Sequence, residues 1–238
     1  MVQSGQITFY TNAFSPHCHR VHIALEEVKA DYTLVVINLM QKPEWYSLKV
    51  NPTGKIPAIT YGGPKHPPEE PSAEATVLTE SMVIVEFLAE LFPSTNRILP
   101  RDPVLRALAR ILVSVADRDV VDGFRGFFFT GAPASTLLAS FEALQALLPP
   151  TGFAVGEWSI VDIAVAPYLV RMLMLLEHEI GRYPVGEGKK ALETLHGKGF
   201  ERIMRYVEDV KAWPSFRATW DEAATLAIWR MNPAIERD

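Results

Sequence analysis

The spacing of apolar positions changes character once along the chain. Up to Leu91 it alternates between strand and helix periods. Ile7–Tyr10 and Tyr32–Asn38 read as strands, and the amphipathic stretch Ser15–Lys29 between them reads as a helix. That is a βαβ unit, whose strands should run parallel. Pro43–Val50 reads as a short helical turn, and Asn51-Pro52-Thr53-Gly54 as a tight turn. Ile56–Tyr61 and Thr76–Thr79 pattern as a strand pair, joined by a Pro-rich segment, Gly62–Pro71, that is long for a hairpin loop. Ser81 reads as the cap of a helix with Val83, Ile84, Phe87, Leu88 and Leu91 on its apolar face. Phe92–Pro103 lacks periodicity. Beyond it every periodic stretch is helical: Val104–Phe128, Ser135–Leu148, Ser159–Glu177, Gly199–Trp213 and Ser215–Trp229. The pattern predicts an α/β domain over residues 1–92, a linker over 93–103 and an all-α domain over 104–238.

Composition narrows the function classes. The chain has 238 residues, 48% hydrophobic and 21% charged, as in a globular protein with a sizeable core. Its net charge of -5 and lack of a Lys/Arg block argue against a nucleic-acid or anionic-membrane surface. Ile163–Leu176 is broken by Pro167 and Arg171, which suits a buried helix better than a membrane span. Met1–Gln6 lacks the basic-then-apolar order of a secretory leader, so a cytoplasmic location is expected. Cys18 is the single cysteine. It excludes an internal disulfide, and with no ligand-spaced histidine partner no metal is expected.

Candidate chemistry centres on Ser15-Pro16-His17-Cys18, placed after the first strand and at the start of the first helix. Ser15 fits the N-cap, and Pro16 fits the first helical position, where a missing N–H costs nothing. A helix N-terminus favours a thiolate. Yet the leading position holds a hydroxyl, so a reacting thiol would arrive with a ligand. Cys18, three residues into the helix, reads as a small packed residue. Ser159-Ile160-Val161-Asp162 fits a capping box, with Trp158 and Ile163 placed as a hydrophobic staple. Lys55-Ile56-Pro57 leaves two readings, an ordinary trans edge proline, favoured on these residues alone, or a cis proline that exposes the Ile56 backbone to an extended peptide. Glu80-Ser81 is equally consistent with a plain cap and with a carboxylate site at a helix start.

Taken in order, Asn38–Trp45, Asn51–Pro57 and Thr79–Ser81, together with the Ser159–Asp162 box, resemble the cytosolic glutathione transferases, most closely the omega class, over nearly the whole chain. The resemblance implies a thioredoxin-like N-terminal domain joined to a helical domain, glutathione as co-substrate, and a homodimer. It implies that Lys42 approaches the glycine carboxylate of glutathione. The Ile56 backbone, with a cis Pro57, would hold the cysteinyl part, Glu80 and Ser81 the γ-glutamyl group, and Lys55 would be a further glutathione-binding residue. Omega enzymes carry a nucleophilic cysteine where this chain has Ser15, and the chain looks like a serine-bearing fungal subgroup. A serine forms no mixed disulfide, but it can donate a hydrogen bond to the thiolate. The shift expected is from thiol transfer to conjugation with apolar or aromatic electrophiles. A second-substrate pocket between the domains is expected from Phe14, His17, Phe124, Phe127, Phe128, Tyr168, Arg171 and Trp229, with Asp122 and Phe129 beside them. His17 and His19 fit surface or interface groups better than catalysts. The alternatives are a carrier of aromatic small molecules with little turnover and, further off, a regulatory protein on the same fold that binds no glutathione.

Overall fold

The computed structural model describes residues 5–94 and 97–237. The first residues, read above as lacking a leader, and residues 95 and 96 of the predicted linker lie outside this range. The chain divides into two compact units, residues 1–96 and 97–238.

In the first unit the described residues form a mixed four-stranded sheet in the order β2-β1-β3-β4. β1 (Ile7–Thr11) lies inside the sheet and is buried throughout, as its apolar run requires. β2 (Thr33–Val36) pairs with it in parallel, as the βαβ pattern predicts. β3 (Ala58–Tyr61) runs antiparallel to β1 and to β4 (Thr76–Thr79). β3 begins two residues later than its apolar pattern suggests, because Pro57 has no N–H for the ladder. α1 (Pro16–Glu27) and α2 (Ser81–Leu91) pack on each other and on one face of the sheet, where Phe9 meets His22 and Tyr61 meets Phe87. The opposite face carries Tyr10 and Ala58, which form a core with Ile37, Tyr46 and Val50. A π-helical turn over Tyr46–Val50 covers it. The Pro-rich segment straps back over the same face. Its Pro68 carbonyl accepts from Tyr10 Oη at 2.6 Å, and its Glu70 pairs with Lys49.

Register then decides where the loops meet. Tyr10 pairs with Ala58, Ala58 with Thr79, and Thr11 with Val36. The residues after β1, those after β2, those before β3 and those after β4 therefore all emerge at one end of the sheet. Both helices start at that end.

The second unit is helical. α5 (Ile160–Glu177) is buried from Ile160 to Leu176 and forms its centre. α3 (Pro103–Thr130), α6 (Glu187–Leu195), α7 (Glu201–Ala212) and α9 (Glu222–Arg230) pack against α5, while α4 (Ala134–Leu147) packs on α3. Gly123 lets α3 and α4 close up, since a Cβ there would collide with the Ser140 side chain. Two helical expectations are corrected. Ser215–Trp229 is not one helix but α8 (Pro214–Thr219) and α9, because Asp221 caps a new helix by accepting from the Ala224 N–H at 2.9 Å. α6 was not anticipated. Its N-terminus is held by Glu179, whose carboxylate accepts from the N–H groups of Gly186 and Lys189. Among the described residues no helix is long and apolar enough to cross a membrane.

Candidate active site

Asn12 shapes the turn that carries Ser15. Its side-chain nitrogen donates to the Ile37 carbonyl at 2.8 Å, tying the turn to the end of β2. Its side-chain oxygen accepts from the Phe14 N–H, and its carbonyl from the Ser15 N–H. This Asx turn delivers Ser15 to the N-cap of α1, with Pro16 at the first helical position. Ser15 Oγ accepts from the Cys18 N–H at 3.3 Å. That bond occupies a lone pair and leaves the hydroxyl proton available to an anion. The first turn of α1 contains no acidic residue, so its dipole is not offset there by a side chain. Cys18 is buried, at 1% exposure, among the packed residues of α1.

The approach to β3 is rigidly organised. Buried Asn51 accepts from the Thr53 N–H and hydroxyl and donates to the Lys55 carbonyl at 2.8 Å. Tyr46 Oη donates to the same carbonyl at 2.7 Å. Burial pushes the Tyr46 phenol well above its ordinary range, so it stays a neutral donor. Two donors on one carbonyl fix the chain just before Ile56-Pro57, a cis bond in the structure. The Lys55 side chain is exposed, Ile56 is half-buried and Pro57 is buried. Exposed Lys42 reaches over this turn. A Cβ on Gly54 (φ +65°) would lie 2.9 Å from Lys42 Nζ.

At the start of α2 the expectation for Ser81 is corrected. The N-cap position belongs to Glu80, in a left-handed conformation (φ 66°), and its side chain makes no capping bond. Ser81 is the first helical residue, buried, and its Oγ accepts from Arg20 Nη1 at 3.4 Å. A non-glycine residue held at positive φ costs about 1–3 kcal/mol, and such residues cluster at functional sites. The bend leaves the Glu80 side chain exposed at the same sheet end as Ser15. Sequence reasoning missed Asn12, Asn51 as a side-chain clamp, and Arg20. An Asn two residues before a turn residue is a recognisable Asx signal. Arg20 had none, because its partner lies 61 positions away.

The residues expected around a second substrate fall into groups. Phe14 and His17 are half-buried in the Ser15 segment, whereas His19, expected at a surface or interface, is corrected to a buried position on α1, at 5% exposure. Within the second unit Phe124 meets Tyr168 and Trp229 edge-on at 5.4 and 5.7 Å, and Phe129 joins them against Trp229. Phe127 and Phe128 are corrected to core positions, fully buried, with Phe127 stacked on Tyr183 at 4.2 Å; Phe124, Tyr168 and Trp229 are buried as well, at 4%, 2% and 1% exposure. Arg171 is buried with its guanidinium over the Trp220 ring, and its Nη1 donates to the Pro167 carbonyl one turn back on α5.

The capping box on α5 is present. Asp162 accepts from the Ser159 N–H and hydroxyl, the Ala154 N–H and Tyr206 Oη. Burial pushes its carboxyl up to about 6 against the pull of these donors.

These features agree with comparisons to known proteins. The family model for the glutathione S-transferase N-terminal domain matches residues 14–91. The omega 1C glutathione transferase of Trametes versicolor is 43% identical and covers 98% of this chain and 99% of its own, with a TM-score of 0.93. The omega 2S transferase of the same fungus is 46% identical, covers 98% and 100%, and has a TM-score of 0.92. Pyrimidodiazepine synthase of Drosophila melanogaster is 29% identical over 99% of this chain and 89% of its own. A thioredoxin-like unit with a cis-proline turn, followed by a helical unit, is the glutathione transferase fold. The chain belongs to the glutathione transferases, within the omega class.

Proposed function

We propose that this transferase binds glutathione at the shared sheet end and activates its thiol through Ser15, for addition to apolar or aromatic electrophiles. The observation that carries the reading is the Ser15 geometry. Its hydroxyl caps α1 through a lone pair and keeps its proton to donate, at a helix start with no acidic residue in its first turn. A hydroxyl in this place stabilises a thiolate without forming a disulfide with it, as expected for a serine-bearing subgroup. The remaining groups suit the peptide in order. The Lys42 ammonium takes the glycine carboxylate, with Lys55 beside it, and the Ile56 backbone beside Pro57 pairs with the cysteinyl unit. Glu80 takes the γ-glutamyl ammonium, and Ser81 its carboxylate. With an isothiocyanate, the thiolate sulfur adds to the central carbon and the nitrogen takes up a proton.

Arrangement as a homodimer in the cytoplasm completes the reading. Exposed Val83 on α2, and Val104, Leu108 and Ile111 on α3, supply apolar surface for a second copy. A second reading, carriage of aromatic ligands with little turnover, draws support from the Trametes versicolor omega 2S transferase, 45% identical here and solved in complex with 2,4-dihydroxybenzophenone. The Phe124, Tyr168 and Trp229 cluster has the matching chemistry, although its rings are packed on one another at 4%, 2% and 1% exposure.

The test is the rate of glutathione addition to an isothiocyanate by wild type, Ser15→Ala and Ser15→Cys. Catalysis is supported by a fall of at least about tenfold in Ser15→Ala, about 1.4 kcal/mol of transition-state stabilisation. Ser15→Cys is expected to gain disulfide-reducing activity. No turnover in any variant, with aromatic ligands still bound, selects the carrier.

A further inference from the structure

Arg20 is one of the largest fully buried side chains, at 1% exposure, although it sits on the first turns of α1. Its Nη1 bridges two elements. It lies 3.2 Å from His17 Nδ1 on its own helix and 3.4 Å from Ser81 Oγ at the start of α2. A guanidinium only donates, so both partners must accept. Two consequences follow from that chemistry. His17 presents its Nδ1 lone pair and carries its proton on Nε2, which anchors the guanidinium within α1. Ser81 receives a hydrogen bond on its oxygen, so its own hydroxyl proton is turned away from Arg20 and is free to donate to another acceptor.

We infer that Arg20 is a positioning residue for glutathione, acting through Ser81 by setting the direction of its hydroxyl. The inference rests on the reading of Glu80-Ser81 as the γ-glutamyl site and deepens it. A serine hydroxyl otherwise samples several rotors. Fixing one before binding removes an ordering cost from each binding event, and that saving appears in affinity rather than in the chemical step. A buried cation kept for packing alone is weakly justified, because an apolar side chain of similar volume often serves as well.

A double-mutant cycle on the full-length protein tests this, with KM for glutathione, kcat and glutathione binding by calorimetry as readouts. Arg20→Met keeps the volume and removes the donors. It is expected to raise KM about tenfold while kcat stays within about threefold. Ser81→Ala is expected to do the same. In the Ser81→Ala background, Arg20→Met is expected to cost less than about twofold more, because the residue through which it acts is gone. Equal losses in both backgrounds overturn the inference, as does a loss confined to kcat. If Arg20→Met does not fold, Arg20→Gln, which retains a planar donor, runs the same cycle and is expected to raise KM by less than about tenfold over wild type, with that loss absent in the Ser81→Ala background and its persistence there overturning the inference. A wild-type protein that shows no glutathione binding refutes the site assignment itself, a result separable from additivity in the cycle.

Discussion

Among the described residues two serines cap helices, and their first turns differ in one acidic residue. Ser159 caps α5 at 1% exposure, and Asp162 in the first turn closes the motif by accepting from the Ser159 N–H and hydroxyl. The partial positive charge of that N-terminus meets an internal carboxylate, and α5 becomes the buried axis of its unit. Ser15 caps α1 with one bond, to the Cys18 N–H, and no acidic residue follows in the first turn. The same local solution carries its own carboxylate in one unit and no acidic residue in the first turn of the other. On the proposed function, that difference lets the start of α1 favour an anion brought by a ligand.

The largest effect should come from breaking the closed cap. Asp162→Ala strands buried donors from Ala154, Ser159 and Tyr206, and is expected to cost about 3 kcal/mol or more of folding stability, read by denaturant unfolding. Its pH dependence carries a definite sign. The carboxyl sits at about 6 in the fold against an ordinary 3.8, so between these values the folded protein binds the proton more tightly than the unfolded chain. Its contribution to stability is therefore highest below about pH 4, declines as pH rises through about 6, and is flat above, about 3 kcal/mol in all. Asp162→Asn should abolish that slope in unfolding measured across this window.

Opening the other cap should move activity more than stability. Ser15→Ala is expected to lower conjugation at least about tenfold and to cost only about 1 kcal/mol of stability, the ordinary value of an N-cap. A stability loss matching that of Asp162→Ala, with unchanged turnover, would erase the distinction between the two serines. The smallest effect belongs to Cys18→Ala. The buried thiol contributes packing, so turnover should stay within about twofold while stability falls by about 1 kcal/mol. A collapse of activity there would return the chemistry to the cysteine.

Local signals account for what was legible in the chain. Strand and helix periods placed β1, α1, α2 and α5, because each buries a face whose spacing is written in contiguous residues. Ser15 and Ser159 were legible as caps for the same reason. What escaped was set by distant partners. The left-handed Glu80 displaced Ser81 from its expected cap, and Ser81 instead receives a bond from Arg20 across the two helices. Phe124, Phe127 and Phe128 carry the same chemistry, and only the packing shows that all three are buried. Trp220-Asp221 interrupts an apolar pattern that continues on both sides, so the Asp221 cap was hidden within a single apparent helix. α6 depends on Glu179, which lies outside the helix it caps.

The central claim is that Ser15 and the open N-terminus of α1 stabilise a thiolate brought by glutathione. The most direct measurement is the ultraviolet absorbance of the thiolate of bound glutathione as a function of pH, in wild type and in Ser15→Ala. Wild type should ionise the bound thiol well below the ordinary thiol value of about 8.5, and Ser15→Ala should raise that midpoint by about one pH unit, matching a tenfold loss of rate. Identical midpoints in the two proteins, with glutathione bound in both, would contradict the account.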